Sequence, residues 1–226
     1  MKIVAVLSIP RLGFNDFWGA TLATLTQRNV PLLRYTGAFW DQCLTRALED
    51  ALATDATHIL TLDYDTLFSG DDLDALVSTA EANPGIDALA AIQVARCRDQ
   101  LLCSIRNEDG IEVTAVDRSA FEQPITPVDT AHFGFTLIST AALRDLPRPW
   151  LIGQPDQNGS WREGRVDPDI AFWRTWKQHG RSLALANRVA VGHLELMIAW
   201  PDTNMRAIYQ RPNELKAGGP PLAKWS

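Results

Sequence analysis

Asp63 and Asp65 close the stretch "THILTLDYD", which starts at Thr57, is dominated by apolar and β-branched residues, and turns acidic after Leu62 with no basic residue beside the acids. In extended chain, residues i and i+2 point their side chains the same way. Two carboxylates held side by side repel unless a cation lies between them. Hard oxygen donors suit Mg²⁺ or Mn²⁺, ions that bridge protein carboxylates to phosphates. Asp also forms turns after strands, and on these residues alone both readings stand. A second acidic pair, Asp167 and Asp169, flanks Pro168. This is a helix start, with Asp167 as cap, Pro168 at the first position and Asp169 favoured by the helix dipole.

The elements around these acids alternate. Strands are expected from Lys2 to Ile9, Pro31 to Tyr35, Thr57 to Leu62 and Ile86 to Val94. Between them run helices from Asn15 to Arg28, with Phe17, Leu22 and Leu25 on one face, and from Trp40 to Ala53, where Leu44, Ala47, Leu48 and Ala51 recur at three and four. A third helix is capped by Ser69, carries Asp71 and Asp72 in its first turn and stops at "NPG". This order implies an α/β fold with a mostly parallel central sheet flanked by helices. In the second half a hairpin is expected around Asn107 to Gly110, then a strand from Asp129 to Thr140, a polar loop from Gly153 to Gly164 that could act as a lid, and a helix from Asp167 stopped by Gly180. "SLALA" and "RVAVGHL" read as two last strands. Residues 1–200 read as one domain, and the Pro- and Gly-containing tail of residues 201–226 is expected to pack on the surface or move.

Bulk properties narrow the classes. A hydrophobic content of 46% places the chain among globular proteins. A net charge of -6 leaves no basic surplus for phosphate backbones, which argues against nucleic-acid binding. Cys43, Cys97 and Cys103 form no CxxC pair and read as core thiols of a reducing compartment rather than disulfides or metal ligands. The opening "MKIVAVLSIP" is too short an apolar run for a signal peptide, and no stretch approaches the roughly 20 apolar residues of a membrane span. A soluble, cytoplasmic protein without an integral membrane anchor is expected.

The block from Gly37 to Leu76, "GAFWDQCLTRALEDALATDATHILTLDYDTLFSGDDLDAL", resembles the helix, strand, DxD and following helix of GT-A fold glycosyltransferases of the family-2-like group. Downstream, "AHFGFTLISTAALRDLPRPWL" is similar to that family's Gly-rich strand on the acceptor side, and "DPDIAFWRTWKQHGRSLALANRVAVGHLE" to its acidic helix start, two strands and final His. The likeness covers roughly residues 1 to 195. Two departures stand out: Pro168-Asp169 where the family often has Glu-Asp, and "WDQC" near the place of an Arg-Asn pair.

The resemblance implies a GT-A, Rossmann-like fold with a small antiparallel portion in its second half. It also implies transfer of a sugar from a UDP- or GDP-linked donor to a hydroxyl of a glycan or other acceptor. Asp65 would bind Mn²⁺ or Mg²⁺, Asp63 the metal or the donor's ribose, and His193 would complete the metal shell. Asp169 would be the general base of an inverting displacement, with Asp167 the second candidate; the helix N-terminus is expected to lower the pKa of Asp169. Pro10, Arg11, Tyr35 and Tyr64 would meet the donor. His132, Gly134, Trp150 and Trp161 would face the acceptor, while Trp173 and Trp176 read as core. Two other classes remain: a GT-A-like binding module without turnover, and a sugar-phosphate nucleotidyltransferase. "SIPRLGF" lacks the Gly-rich basic loop that the latter class carries after its first strand.

Overall fold

The computed structural model describes residues 1–10, 12–96, 98–107 and 109–224. In chain order its elements are β1 (Ile3–Ile9), α1 (Asn15–Gln27), β2 (Leu32–Thr36), α2 (Trp40–Leu52), β3 (His58–Asp63), β4 (Thr66–Leu67), α3 (Gly70–Ala82), β5 (Ala88–Ile92), β6 (Cys103–Arg106), β7 (Glu112–Val113), β8 (Ile125–Pro127), β9 (Thr130–Ala131), β10 (Phe135–Ser139), α4 (Thr140–Arg144), α5 (Pro168–Gln178), β11 (Leu183–Ala190), β12 (Gly192–His193), β13 (Ile198–Pro201), β14 (Ala207–Gln210) and α6 (Pro212–Gly218).

Seven strands form the central sheet, in the order β2-β1-β3-β10-β5-β11-β8. β1 pairs in parallel with β2 and β3, and β5 with β11. β10 runs antiparallel between β3 and β5. So β5 is not the neighbour of β3 that a plain βαβ series would make it. Both sheet faces are covered, and the strands show it residue by residue. Val4 and Val6 pack with α2, α4 and α5, whereas Ala5 and Leu7 pack with α1 and α3. Such two-sided burial explains why the strands read as continuous apolar runs.

Helix α2 buries Cys43, Leu44, Ala47, Leu48 and Ala51, the face its periodicity predicts. α1 differs from expectation: it buries Phe17, Thr21, Thr24 and Leu25, while Leu22 is exposed. Two small threonines let α1 lie close to the sheet, and Leu22, five residues from Phe17, points away at helical spacing. Ser69 and Asp72 form a reciprocal capping box at the start of α3. Trp173 and Trp176 of α5 are fully buried. Cys43 and Cys103 are buried free thiols; Cys97 lies outside the described residues.

The two expected last strands are one, β11, with a register shift between Ala186 and Ala190, followed by the two-residue β12. Past residue 197 the chain is more regular than its Pro and Gly content suggests. β13 and β14 form an antiparallel hairpin, and α6 is capped by Arg211, which pairs with Glu195 at 3.4 Å and Asp99 at 3.8 Å. No helix among the described residues is long and apolar enough to cross a membrane.

Candidate functional site

Asp63 is the last residue of β3, opposite Ser8 of β1, and so stands at the carboxyl edge where ligands sit in open α/β sheets. The indole Nε1 of Trp40, the first residue of α2, donates to its Oδ1 at 2.9 Å. Ser8 Oγ donates to the Trp40 carbonyl at 3.0 Å, which ties the start of that helix to β1. Burial pushes the Asp63 carboxyl up to about 6; the Trp40 donor opposes the rise, and the charges of Asp65 and Asp169 add to it.

Asp65 lies in the turn between β3 and β4, and its side chain is 5% exposed. β4 and β12 pair over two residues, Thr66 with His193 and Leu67 with Gly192, and the Leu194 amide donates to the Asp65 carbonyl at 2.7 Å. This ribbon is what brings His193 to Asp65 across more than 120 residues of chain. Gly192 fits the close approach, since a Cβ there would lie 3.3 Å from the Leu67 Cβ. Gln93 braces the ribbon by donating from Nε2 to Thr66 Oγ1 and to the Gly192 carbonyl.

His193 is held at both ring nitrogens. Nδ1 lies 2.9 Å from the Val94 carbonyl, which can only accept, so Nδ1–H donates there. Nε2 then faces Asp65 Oδ2 at 3.4 Å. A backbone carbonyl that accepts from one ring nitrogen and leaves the other to face the site is how metal-ligating imidazoles are oriented. Burial pulls the His193 pKa down, but Asp65 and the Val94 carbonyl outweigh it and the net shift is upward. Arg96 Nη1 contacts the same Oδ2 at 2.8 Å.

Opposite this edge, α5 begins at the Asp167 cap position with Pro168 in its first turn. The Asp167 side chain makes no cap bond; Arg165 Nε donates to it at 2.8 Å instead. Asp169 is half-buried, and its carboxyl is raised, not lowered as the helix dipole alone would have it. Burial is the largest cause, and the charge of Asp167 adds to it against the Ile170 amide.

Asp63, Tyr64, Asp65, His132, Asp167, Asp169 and His193 all line one cleft of about 540 Å³, within the range of small-molecule sites. His132 has no ring nitrogen to offer a ligand. Nε2 donates to the Ala91 carbonyl at 2.8 Å, Nδ1 accepts from the Gly134 amide at 3.0 Å, and burial holds its pKa down at about 4. It is a neutral strut of the cleft wall rather than the sugar-facing group expected.

Other expected site residues lie elsewhere. Trp150 is a core residue, with Nε1 donating to the Leu146 carbonyl at 3.2 Å. Trp161 is exposed on the loop before α5 and does not line the cleft. The Tyr35 hydroxyl donates to Asp50 of α2. Pro10 follows β1, half-buried and outside the cleft wall, and Arg11 lies outside the described residues. Gly134 is a point of close approach, not a ligand contact: a Cβ would come within 2.5 Å of Thr66 Oγ1. The polar cleft residues that the sequence reading misses include Trp40, Gln93, Arg96, Arg98 and Gln100. Trp40 sits in the "WDQC" departure, and the others follow the carboxyl end of β5, where a ligand-facing loop is expected in such sheets.

Among the described residues no group of three or more His, Cys, Asp or Glu is placed to hold a metal ion. Asp65 and His193 are two donors of the right kind, and a hard dication commonly takes one or two protein ligands and fills the rest of its shell from water and substrate phosphate. On that donor chemistry the site fits a dication shared with a phosphate ligand.

No family model matches the chain, and no curated protein matches it. Solved structures do. A197 from STIV is 15% identical, with a TM-score of 0.56 over 92% of this chain and 94% of that one. GalNAc-T7 with UDP, GalNAc and Mn²⁺ is 10% identical, with a TM-score of 0.53 over 85% of this chain. S. aureus TarS 1-349 in complex with UDP is 10% identical, with a TM-score of 0.51 over 86% of this chain. This chain spans 43% of the GalNAc-T7 chain and 61% of the TarS chain. Together with the seven-stranded sheet and its helical layers, these likenesses establish that the chain has the GT-A fold of glycosyltransferases.

Proposed function

We propose that the protein is a glycosyltransferase that takes a sugar from a UDP- or GDP-linked donor with the help of Mn²⁺ or Mg²⁺. One observation supports this above the others: Asp65 Oδ2 faces His193 Nε2 at 3.4 Å while Nδ1 of the same ring is tied to the Val94 carbonyl. The fold adds support, since GalNAc-T7 is seen with UDP, GalNAc and Mn²⁺ and TarS with UDP.

A dication bound by Asp65 and His193 would supply Lewis-acid stabilisation of the departing diphosphate. The remaining tasks fall to side chains. Asp63, with Oδ1 fixed by Trp40, presents its carboxylate to the donor's ribose or to the cation. Asp169 takes the proton of an acceptor hydroxyl in an inverting displacement. Its raised pKa makes it a stronger base than an ordinary carboxylate. Asp167, exposed and paired with Arg165, is the second candidate for that role. Pro10, Tyr35, Trp150 and Trp161 have no part in this mechanism.

The test is a panel of nucleotide sugars scored by release of nucleoside diphosphate, with Mn²⁺ and with chelator. Metal-dependent release that disappears in Asp65→Ala supports the reading, and undiminished release in that variant refutes the metal role. A melting temperature raised by UDP and Mn²⁺ together, with no donor turned over, points instead to a binding module.

A further inference from the structure

Asp65 Oδ2 carries two nitrogen neighbours, His193 Nε2 at 3.4 Å and the Arg96 guanidinium Nη1 at 2.8 Å. A dication held between Asp65 and His193 would lie against that same oxygen, the one that faces the ring. A guanidinium cannot remain on it, because like charges at such distances repel strongly in a buried setting. Asp65 also cannot stand alone, since a buried carboxylate stripped of its partner is strongly destabilising. We propose that Arg96 is an exchangeable cation. It neutralises Asp65 when no metal is bound, and it moves onto the diphosphate of the nucleotide ligand when a metal takes Asp65. This rests on the nucleotide-sugar reading above and deepens it.

Placement favours such a movement. Arg96 lies in the connection from β5 to β6, beyond the Val94–Leu101 bridge that closes the base of the loop. The Ala95 amide donates to the Gln100 carbonyl at 2.8 Å and keeps that base narrow. The Arg96 side chain is 42% exposed against 5% for Asp65, so the guanidinium can leave the carboxylate without leaving the cleft. Arg98 and Gln100 of the same loop also line the cleft, beside the edge where a phosphate would be shared with the cation. The planar guanidinium fork matches phosphate oxygens two at a time. A displaced Arg96 therefore gains a new anion in place of the one it gave up.

The experiment compares the wild type with Arg96→Gln and Arg96→Lys. Three quantities are measured: binding of Mn²⁺ alone, binding of UDP and of GDP at saturating Mn²⁺, and melting temperature with Mn²⁺ or with chelator. Loss of the competing cation should make Arg96→Gln bind Mn²⁺ alone about tenfold more tightly, while loss of the phosphate contact weakens its nucleotide binding by about tenfold. Its melting temperature should fall below that of the wild type in chelator, and the gap should close with Mn²⁺. Arg96→Lys keeps the charge, so its metal affinity should stay near that of the wild type while nucleotide affinity drops.

A glutamine variant that binds Mn²⁺ no more tightly, or whose melting deficit persists in Mn²⁺, overturns the exchange and makes Arg96 a structural partner of Asp65. If that variant does not fold, the lysine variant decides, and nucleotide binding equal to that of the wild type counts against the proposal. A wild type that binds neither Mn²⁺ nor nucleotide refutes the function itself. A wild type that binds both, with variants that match it, refutes only the role of Arg96.

Discussion

Two buried aspartates of this protein each meet two basic side chains, and they could hardly be used more differently. Asp129 is 6% exposed and meets Arg106 of β6 at 3.0 Å and Lys177 of α5. Asp65, equally buried, meets Arg96 and His193. The partners of Asp129 come from β6, which pairs with β7 and β9 in a small separate sheet, and from α5, which packs on the core, and Asp129 does not line the cleft. The partners of Asp65 come from a loop and from a two-residue ribbon, and all three side chains face the cleft. A buried charge pair whose members sit on rigid elements can only hold the fold together. One whose cation sits on a loop can exchange partners, which is what a metal or phosphate site requires.

The contrast is open to direct attack. Asp65→Ala should cut nucleoside diphosphate release by roughly 100-fold or more, the scale on which removing a group that stabilises the departing charge is felt. Asp129→Asn should do the opposite, leaving release per folded molecule within a small factor of the wild type. Its cost appears in urea melts as about 1–3 kcal/mol, because the charge between Arg106 and Lys177 is lost while both half-exposed cations can rehydrate. If the two variants lose activity alike, the division between a working and a structural pair is wrong.

Trp40→Phe probes the next level. It keeps the ring that packs edge-on against Phe133 at 5.8 Å and deletes only the donor to Asp63. Nucleotide binding should weaken by about tenfold to a hundredfold, the range for a hydrogen bond to a charged group. Because that donor holds the Asp63 pKa down, the pH at which binding is half-developed should rise in the variant.

The smallest effect concerns pH and stability in chelator. Asp63 titrates at about 6 in the folded chain against 3.8 for the free side chain. Between those values the unfolded chain releases a proton that the folded chain keeps, so this group costs stability as pH rises, fully so above about 6. His132 acts with the opposite sign: held neutral down to about 4 against 6.5 unfolded, its contribution is complete above 6.5 and is lost as pH falls toward 4. Asp63→Asn should therefore be more stable than the wild type at pH 7, with the gain shrinking as pH falls through 6 toward 4. Urea midpoints at pH 7 and pH 4.5 decide it, and an equal gain at both pH values would show that Asp63 is not perturbed.

What the sequence discloses follows the same division between rigid and adaptable parts. α2 is legible because its apolar residues repeat at the helix period, and β3 because a buried strand ends in two acids. α1 is misread at Leu22 because Thr21 and Thr24, beside Phe17 and Leu25, complete its inner face. β10 is recognisable as a strand, but its antiparallel place between β3 and β5 depends on which edges remain open once the other strands have paired. The meeting of Asp65 with His193 rests on a ribbon of two residues per strand, too short to leave any periodicity. Arg96 lies in a loop, where spacing carries no register, and Trp150 and Trp161 show that an aromatic residue near a motif says little about whether it faces core, cleft or solvent.

The reversed strand β10 has one further geometric effect. Lying between β3 and β5, it sets their edges two inter-strand spacings apart, roughly 10 Å. At that edge it offers its amino end, preceded by the His132 to Gly134 corner, where its neighbours offer carboxyl ends. The acid that follows β3 and the basic loop that follows β5 thus rise from strands that are not neighbours, and the Arg96 side chain spans that separation to reach Asp65 at 2.8 Å.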